Sequence, residues 1–247
     1  MNRAIYAAAS GGVAALARLD AVAQNLANVS TAGYKAERVV FRVRSLGTSG
    51  PDNLDPVLRE TAAQAGEPLT IRDFSQGPIR PSGNPLDVAL AGEGFFAVAT
   101  PRGERYTRQG TFTRDAEGFL VTQHGERVEG DNGDIQIGAG DVTIAEDGTV
   151  TSDGAAVGRL KVVRFANQAT LAPEGTALFS APPGNVATPL DASAVQLHPQ
   201  AIEGANIDPV AGMVELVDVS RGFEAYMQAT RRLDEVANHA ITDVGRV

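Results

Sequence analysis

Three histidines, His124, His198 and His239, are the side chains of this 247-residue chain best suited to moving protons or holding a metal near neutral pH. They fall in a turn, in a loop before a proline and in a long helical stretch, with no HxH or i,i+4 spacing to set two imidazoles on one ion. Each reads as a solvated or capping histidine. The stretch "EGDNGDIQIGAGD" (129–141) gathers Asp131, Asn132, Asp134 and Asp141 among glycines, the oxygen ligands that calcium takes. It lacks the spacing and closing glutamate of an EF-hand, and no strand and helix frame its Gly-x-Gly as a dinucleotide loop requires, so turn chemistry is the better reading. Asp147 and Asp153 flank hairpin turns, and Ser10, Ser30 and Ser220 stand in no GxSxG or SxxK context. No catalytic, metal-ligating or cofactor-binding residue is assigned, no cofactor is expected, and the chain is not expected to be an enzyme.

Composition narrows the partners. Thirty acidic against 21 basic residues give a formal charge of −9, which disfavours nucleic acid. Absence of cysteine excludes disulfides, thiolate zinc sites and thiol catalysis together. No run of apolar residues is long enough for a membrane span. The Ala-rich N-terminus superficially resembles a signal peptide, but the run is amphipathic and Arg18 and Asp20 soon follow, which argues against cleavage.

The pattern along the chain has helical ends and a β-rich middle. Ile5, Ala9, Gly12, Leu16, Leu19, Ala23 and Leu26 step by fours and threes, a heptad seam offering mostly Ala and Gly. Such a stripe covers a sheet poorly and suits close approach to another helix. After "NIDPVAGM", a second seam runs through Met213, Leu216, Ser220, Phe223, Met227, Thr230 and Leu233, with Asp208 as N-cap and Pro209 at the first helical position. Between them, short alternating runs bounded by Gly, Asp and Asn read as strands, with Asp147-Gly148, Asp153-Gly154 and Glu117-Gly118 as tight turns. The fold class is α+β: a mainly-β central domain with N- and C-terminal helices. The expected division is 1–33 helix and hinge, 34–68 extended segment or linker with room for a short helix, 69–204 central β-domain and 205–247 C-terminal helix. In the hinge, Asn25, Asn28, Ser30, Thr31, Gly33 and Tyr34 carry the break, with Asn28 expected in the left-handed conformation that ends a helix.

"NLANVSTAGYKAERVVF" (25–41) resembles the N-terminal motif shared by the rod, hook and hook-associated proteins of the bacterial flagellum. The resemblance continues through "QGPIRPSGNPLDVALAGEGFFAV" (76–98), "RYTRQGTFTRDAEGFLVTQHGERVEG" (105–130) and "IEGANIDPVAGMVELVDVSRGFEAY" (202–226), and so covers most of the chain. The stretches "NRAIYAA", "AVGRLKVVRF" and "RGFEAY" look most like the proximal-rod members; a distal-rod or hook-type axial protein is the alternative within the family.

The resemblance implies a structural subunit of the basal-body rod, spanning the periplasm and exported by the flagellar type III apparatus without a cleaved signal. It implies that the terminal helices pair as an antiparallel coiled coil and pack with those of other rod proteins and further copies, inside an outer layer of β-domains. The helices, marginal alone, can be ordered or disordered in the free monomer. Ile5, Leu16, Leu19, Leu26, Met213, Leu216, Phe223, Met227 and Leu233 are the expected assembly interface. A secreted β-rich enzyme or adhesin with helical arms is the rival from another class, and it would need a pocket joining perturbed titratable groups.

Overall fold

The computed structural model describes residues 2–42 and 67–244, and their side chains except those of 2–10, 42, 67, 233, 234 and 236–244. The described residues divide into two compact units: a helical unit from 2–27, 37–42, 67–72 and 208–244, and a β-unit from 28–36 and 73–207. The chain is mainly β with a long helix at each end, which is the α+β class expected. The short helix considered within 45–68 falls almost wholly outside the described residues.

In the helical unit, α1 spans Asn2–Ala27 and α2 spans Pro209–Val244. The start of α2 is fixed as the sequence predicts: Asp208 Oδ1 accepts from the Val210 N–H (2.9 Å) and the Ala211 N–H (3.2 Å), satisfying two of the donors a helix leaves open at its N-terminus. The described strands of the unit are β1 (Glu37–Arg42) and β2 (Glu67–Arg72), paired antiparallel with Glu37 opposite Arg72. That register places an ion pair between the Glu37 carboxylate and the Arg72 guanidinium across the ladder. Among the described residues, no helix is long and apolar enough to cross a membrane.

The β-unit runs, in chain order, through β3 (Ile79–Pro81), β4 (Val88–Ala91), β5 (Phe95–Thr100), β6 (Gly103–Thr107), β7 (Phe112–Arg114), β8 (Leu120–Thr122) and β9 (Arg127–Gly130). It continues through β10 (Gly133–Asp134), β11 (Val142–Ile144), β12 (Thr149–Ser152), β13 (Ala155–Arg159) and β14 (Val162–Arg164). The last are β15 (Ala172–Glu174), β16 (Leu178–Ser180), β17 (Thr188–Pro189), β18 (Gln196–Pro199) and β19 (Ala201–Glu203). The main sheet is ordered β15-β16-β6-β5-β9-β8-β7, with β14 and β10 attached to its side, and β11-β12-β13 form a separate sheet. Two short ladders bring late strands back to early ones, β18 beside β4 and β19 beside β3.

Period-2 alternation explains why one strand can serve two cores. Phe95 and Ala97 of β5 pack with Tyr106, Phe165 and Phe179, while the intervening Phe96 and Val98 face Phe112, Leu120, Val128 and Ile135. Both sets are buried. Phe95 meets Phe165 and Phe179 edge-on at centroid distances of 5.7 and 5.8 Å, the arrangement that aromatic quadrupoles favour. The expected turns close the hairpins: Gly118 and Gly148 have positive φ, and Asp153 and Gly154 both do, as a mirror-image turn demands.

Candidate functional site

Residues 28–36 form no strand and fold into turns instead. The Thr31 N–H donates to the Asn28 carbonyl (3.0 Å) and the Tyr34 N–H to that of Thr31 (3.3 Å). The left-handed residue is Gly33, at φ 67°, and not Asn28; Asp153 and Gln200 are the non-glycine residues with positive φ among those described. Asn28 was expected there because asparagine tolerates that conformation, but the sharp turn comes five positions later, where only glycine also fits the space. A Cβ on Gly33 would stand 2.5 Å from the Arg108 carbonyl carbon and from the Gln109 nitrogen. That closeness lets the Gly33 N–H reach the Glu203 carbonyl at 2.8 Å.

One asparagine side chain then ties three segments of the β-unit. Asn206 Oδ1 accepts from the Ala36 N–H (2.7 Å), and its Nδ2 donates to the Asp73 carbonyl (2.8 Å) and to Ser75 Oγ (3.0 Å). The Asp73 N–H in turn donates to the Ala36 carbonyl at 2.9 Å. Segments without a ladder partner have their backbone groups satisfied this way. Asn25 works similarly inside the helical unit, accepting from the Glu37 N–H (2.7 Å) and donating to the Glu37 carbonyl (2.8 Å), so that β1 begins against the last turns of α1.

Beneath this junction three charged side chains are enclosed: Lys35, Arg108 and Glu203 are 0, 2 and 1 % exposed. Lys35 Nζ donates to Glu203 Oε1 and to the Ser75 carbonyl, each at 2.7 Å, and the Gly77 N–H donates to the same carboxylate oxygen at 2.9 Å. Arg108 Nη1 lies 3.6 Å from Glu203 Oε2, and Nη2 donates to the Gly92 carbonyl at 2.5 Å. The guanidinium sits over the Phe95 ring at 5.4 Å. Glu203 Oε2 and Arg108 Nε have no hydrogen-bond partner among the described residues. Burial lowers the Lys35 pKa below the ordinary lysine value, with the Glu203 charge opposing.

In the helical unit, α1 and α2 lie side by side in opposite chain directions, since Gly11 lies against Tyr226, Arg18 bonds Glu215, and Leu26 approaches Gly212. A Cβ on Gly11 would stand 2.6 Å from Tyr226 Cε1, so the aromatic ring covers the spot a side chain would fill. Arg18 Nε and Nη2 reach Glu215 Oε1 at 3.0 and 2.6 Å, an exposed pair worth at most about 1 kcal/mol. A groove of about 780 Å³ runs between the helices beside β1, floored by Ala14, Ala15 and Gly222 and walled by Phe41, Val214 and Tyr226.

Models of three families match the chain in order: "Flagella basal body rod protein" over residues 5–35, "Flagellar hook protein FlgE/F/G D1 domain" over 89–152, and "Flagellar basal body rod FlgEFG protein C-terminal" over 198–242. The chain is 32% identical over 251 residues to a "Flagellar basal-body rod protein FlgF" of Caulobacter vibrioides, covering 100% of both. It belongs to the flagellar basal-body rod protein family. The chain is also 32% identical to a FlgG of Agrobacterium fabrum over 255 residues (96% of this chain, 97% of the relative) and to the FlgF of Escherichia coli over 254 residues (97% of each).

Each of the three matched regions gives this rod protein one member of its buried triad: Lys35, Arg108 and Glu203. Its function is that of a structural subunit of the flagellar basal-body rod, in a family that is structural and not enzymatic.

The expected interface residues are distributed unevenly. Leu16, Met213 and Met227 are 44, 55 and 41 % exposed, while Leu19, Leu26, Leu216 and Phe223 are half-buried. The side chains of Ile5, Leu233 and His239 lie outside those described. Buried on the helices instead are Ala21, Val22 and Val219, none of which the heptad stepping selected. Of the hinge residues, Tyr34 is fully buried and Ser30 exposed.

Lys35, Arg108, Glu203 and Asn206 were not singled out in the sequence, and their separations along the chain leave no local signal. His124 and His198 are exposed and apart from this cluster. Asp131 pairs with Arg159, and Asp134 with Arg127.

Gly212 contributes a separate expectation. Its Cβ would meet Leu26 Cδ1 at 4.0 Å, an ordinary contact, and its φ is not left-handed. Gly212→Ala should therefore stabilise α2 by up to about 1 kcal/mol, read as a rise in the helical signal's melting midpoint by circular dichroism.

Proposed function

We propose that this rod protein is a proximal-rod subunit that assembles with further copies of itself and other axial proteins through an antiparallel coiled coil of α1 and α2. The β-unit then forms the outer layer of a rod crossing the periplasm, and the chain is exported without signal cleavage by the flagellar type III apparatus. The observation that carries this reading is the pairing of the terminal helices through Gly11, Arg18 and Leu26, with Leu16, Met213 and Met227 left outward. Apolar side chains at those exposures gain little in the single chain. Covering the exposed half of each in a heterologous, non-closing interface would contribute about 1 kcal/mol apiece.

Leu16→Asp tests the assembly claim, because the side chain is 44 % exposed and its replacement should leave each unit folded. The expected result is loss of swimming with the variant's β-unit unfolding at the wild-type urea midpoint. Normal swimming would overturn the interface. In the purified monomer, limited proteolysis that trims both termini at once and spares 73–207 would agree with helices that order on assembly; full protection would count against it.

A further inference from the structure

One residue of the acid- and glycine-rich stretch 129–141 is set for chemistry on its own backbone. Asp131 and Asn132 form the connection between β9 and β10, whose ladder pairs Gly130 with Gly133 and Glu129 with Asp134. Residues 131–134 are all exposed. Gly133 turns the chain at φ 110°, and among the described residues nothing lies within 4 Å of where its Cβ would stand. The Asn132 side chain makes no hydrogen bond among the described residues, whereas the side chains of Asn25, Asn28, Asn84, Asn167, Asn185 and Asn206 are all held by at least one. Those six precede Leu, Val, Pro, Gln, Val and Ile, and only Asn132 of the seven precedes glycine. The two Asp-Gly turns differ in the same way. Asp147 accepts from the Thr149 N–H (3.0 Å) and Oγ1 (2.9 Å), bonds that hold its carboxyl below the usual carboxylate range, and Asp153 Oδ1 accepts from the Asp141 N–H at 3.1 Å.

We propose that Asn132 is a self-modifying site, where the Gly133 nitrogen closes a cyclic imide on the Asn132 side chain and the residue converts with the age of the chain to aspartate and iso-linked aspartate. The Gly133 amide gives up its proton to hydroxide, its nitrogen bonds to Asn132 Cγ, and the Cγ–Nδ2 bond breaks, so that ammonia leaves with a proton returned from water. Water then adds to one of the two imide carbonyls and opens the ring. Cleavage at Cγ gives aspartate; cleavage at the main-chain carbonyl gives a chain that runs through Cγ. Nothing is oxidised or reduced, and water is the only co-reactant. The attack needs the following nitrogen to swing alongside Cγ, which a free side chain, an exposed turn and the backbone freedom of glycine permit together. Either product sets a new carboxylate between Asp131 and Asp134. The iso-linked one also lengthens the main chain of a short turn, so the two β9–β10 pairs cannot both keep their register. Gly133 and Asp134 belong to neither apolar core, and the β-unit therefore stays folded through the change.

Ageing the full chain in mildly alkaline buffer and mapping the digest by mass spectrometry tests this. The mass gain of an amide turned to an acid should appear first at Asn132, at least about tenfold faster than at the other six asparagines, and in proportion to hydroxide concentration. A protease that cuts before aspartate but not before its iso-linked form separates the two products, and both should be present. The rate in the folded chain should lie within about tenfold of that in urea, as a turn that opens at little cost allows. Gly133→Ala should slow the conversion at least about tenfold. Asn132→Gln, whose longer side chain would have to close a larger ring, should abolish it while leaving the glycine in place, and it serves alone if Gly133→Ala fails to fold. Conversion at Asn132 no faster than at the other asparagines, stronger suppression by folding than stated, or a mass gain at this turn that survives Asn132→Gln would each overturn the proposal.

Discussion

Glu203→Ala is expected to destabilise the β-unit by about 3–5 kcal/mol, the range for removing one partner of a buried ion pair. The carboxylate neutralises Lys35 and Arg108 and accepts the Gly77 N–H, all at 0–2 % side-chain exposure for the charged groups. Without it two cations and a backbone donor are left enclosed, and each must draw in water or break its segment's packing. The check is the urea midpoint of the β-sheet signal at unchanged slope. The same removal read on a variant that is also Lys35→Met and Arg108→Met should recover part of the loss, because no buried cation is then left to neutralise, while the space left by the shortened side chain and the Gly77 N–H stay unfilled. A loss below about 1 kcal/mol in Glu203→Ala would mean that water already reaches the site.

Gly110→Ala is expected to cost about 2–5 kcal/mol by a mechanism free of charge. A Cβ at that position would stand 1.7 Å from the Val88 carbonyl oxygen and 2.9 Å from its carbon. These are backbone atoms of a strand whose Val88 is fully buried and whose N–H donates to the Gly110 carbonyl at 2.9 Å. The methyl can enter only if that bond opens and β4 moves off, adding overpacking of about 1–3 kcal/mol to a lost buried hydrogen bond worth a similar amount. Gly222→Ala, with open space around its Cβ, provides the contrast: it should be neutral or mildly stabilising in α2. Equal effects at the two positions would show that backbone entropy and not close approach governs the glycines.

Such sites explain how far the sequence could be read. The strands announced themselves because alternation of Phe95, Phe96, Ala97 and Val98 against two cores is local, and so were the turns, since Asp153-Gly154 needs positive φ wherever it lies. The start of α2 was equally local: Asp208 bonds two amides within three residues of itself. The heptad stepping placed Leu16 and Leu26 on one seam; α1 meets α2 through Leu26 of that seam and through Gly11 and Arg18 beside it, while Leu16 is left 44 % exposed. Periodicity finds an apolar stripe, but which of two adjacent stripes faces the partner is decided by the partner's side chains, here the Tyr226 ring over Gly11.

In the break after α1, the sequence located the turn-formers correctly and assigned the left-handed residue to Asn28; the structure assigns it to Gly33. Asparagine's tolerance of that conformation is an intrinsic preference, whereas the need for a missing Cβ at Gly33 comes from the Arg108–Gln109 backbone, which passes 2.5 Å from where that Cβ would stand. By itself, then, the sequence determined what depends on neighbours a few residues apart: strand alternation, hairpin turns, one helix cap, and the motifs that placed the chain in its family. Only the tertiary structure decided what depends on distant segments meeting. Lys35 finds its carboxylate 168 residues away and Ala36 its acceptor 170 away, and nothing in either local pattern names a partner whose only qualification is to arrive at the same buried point.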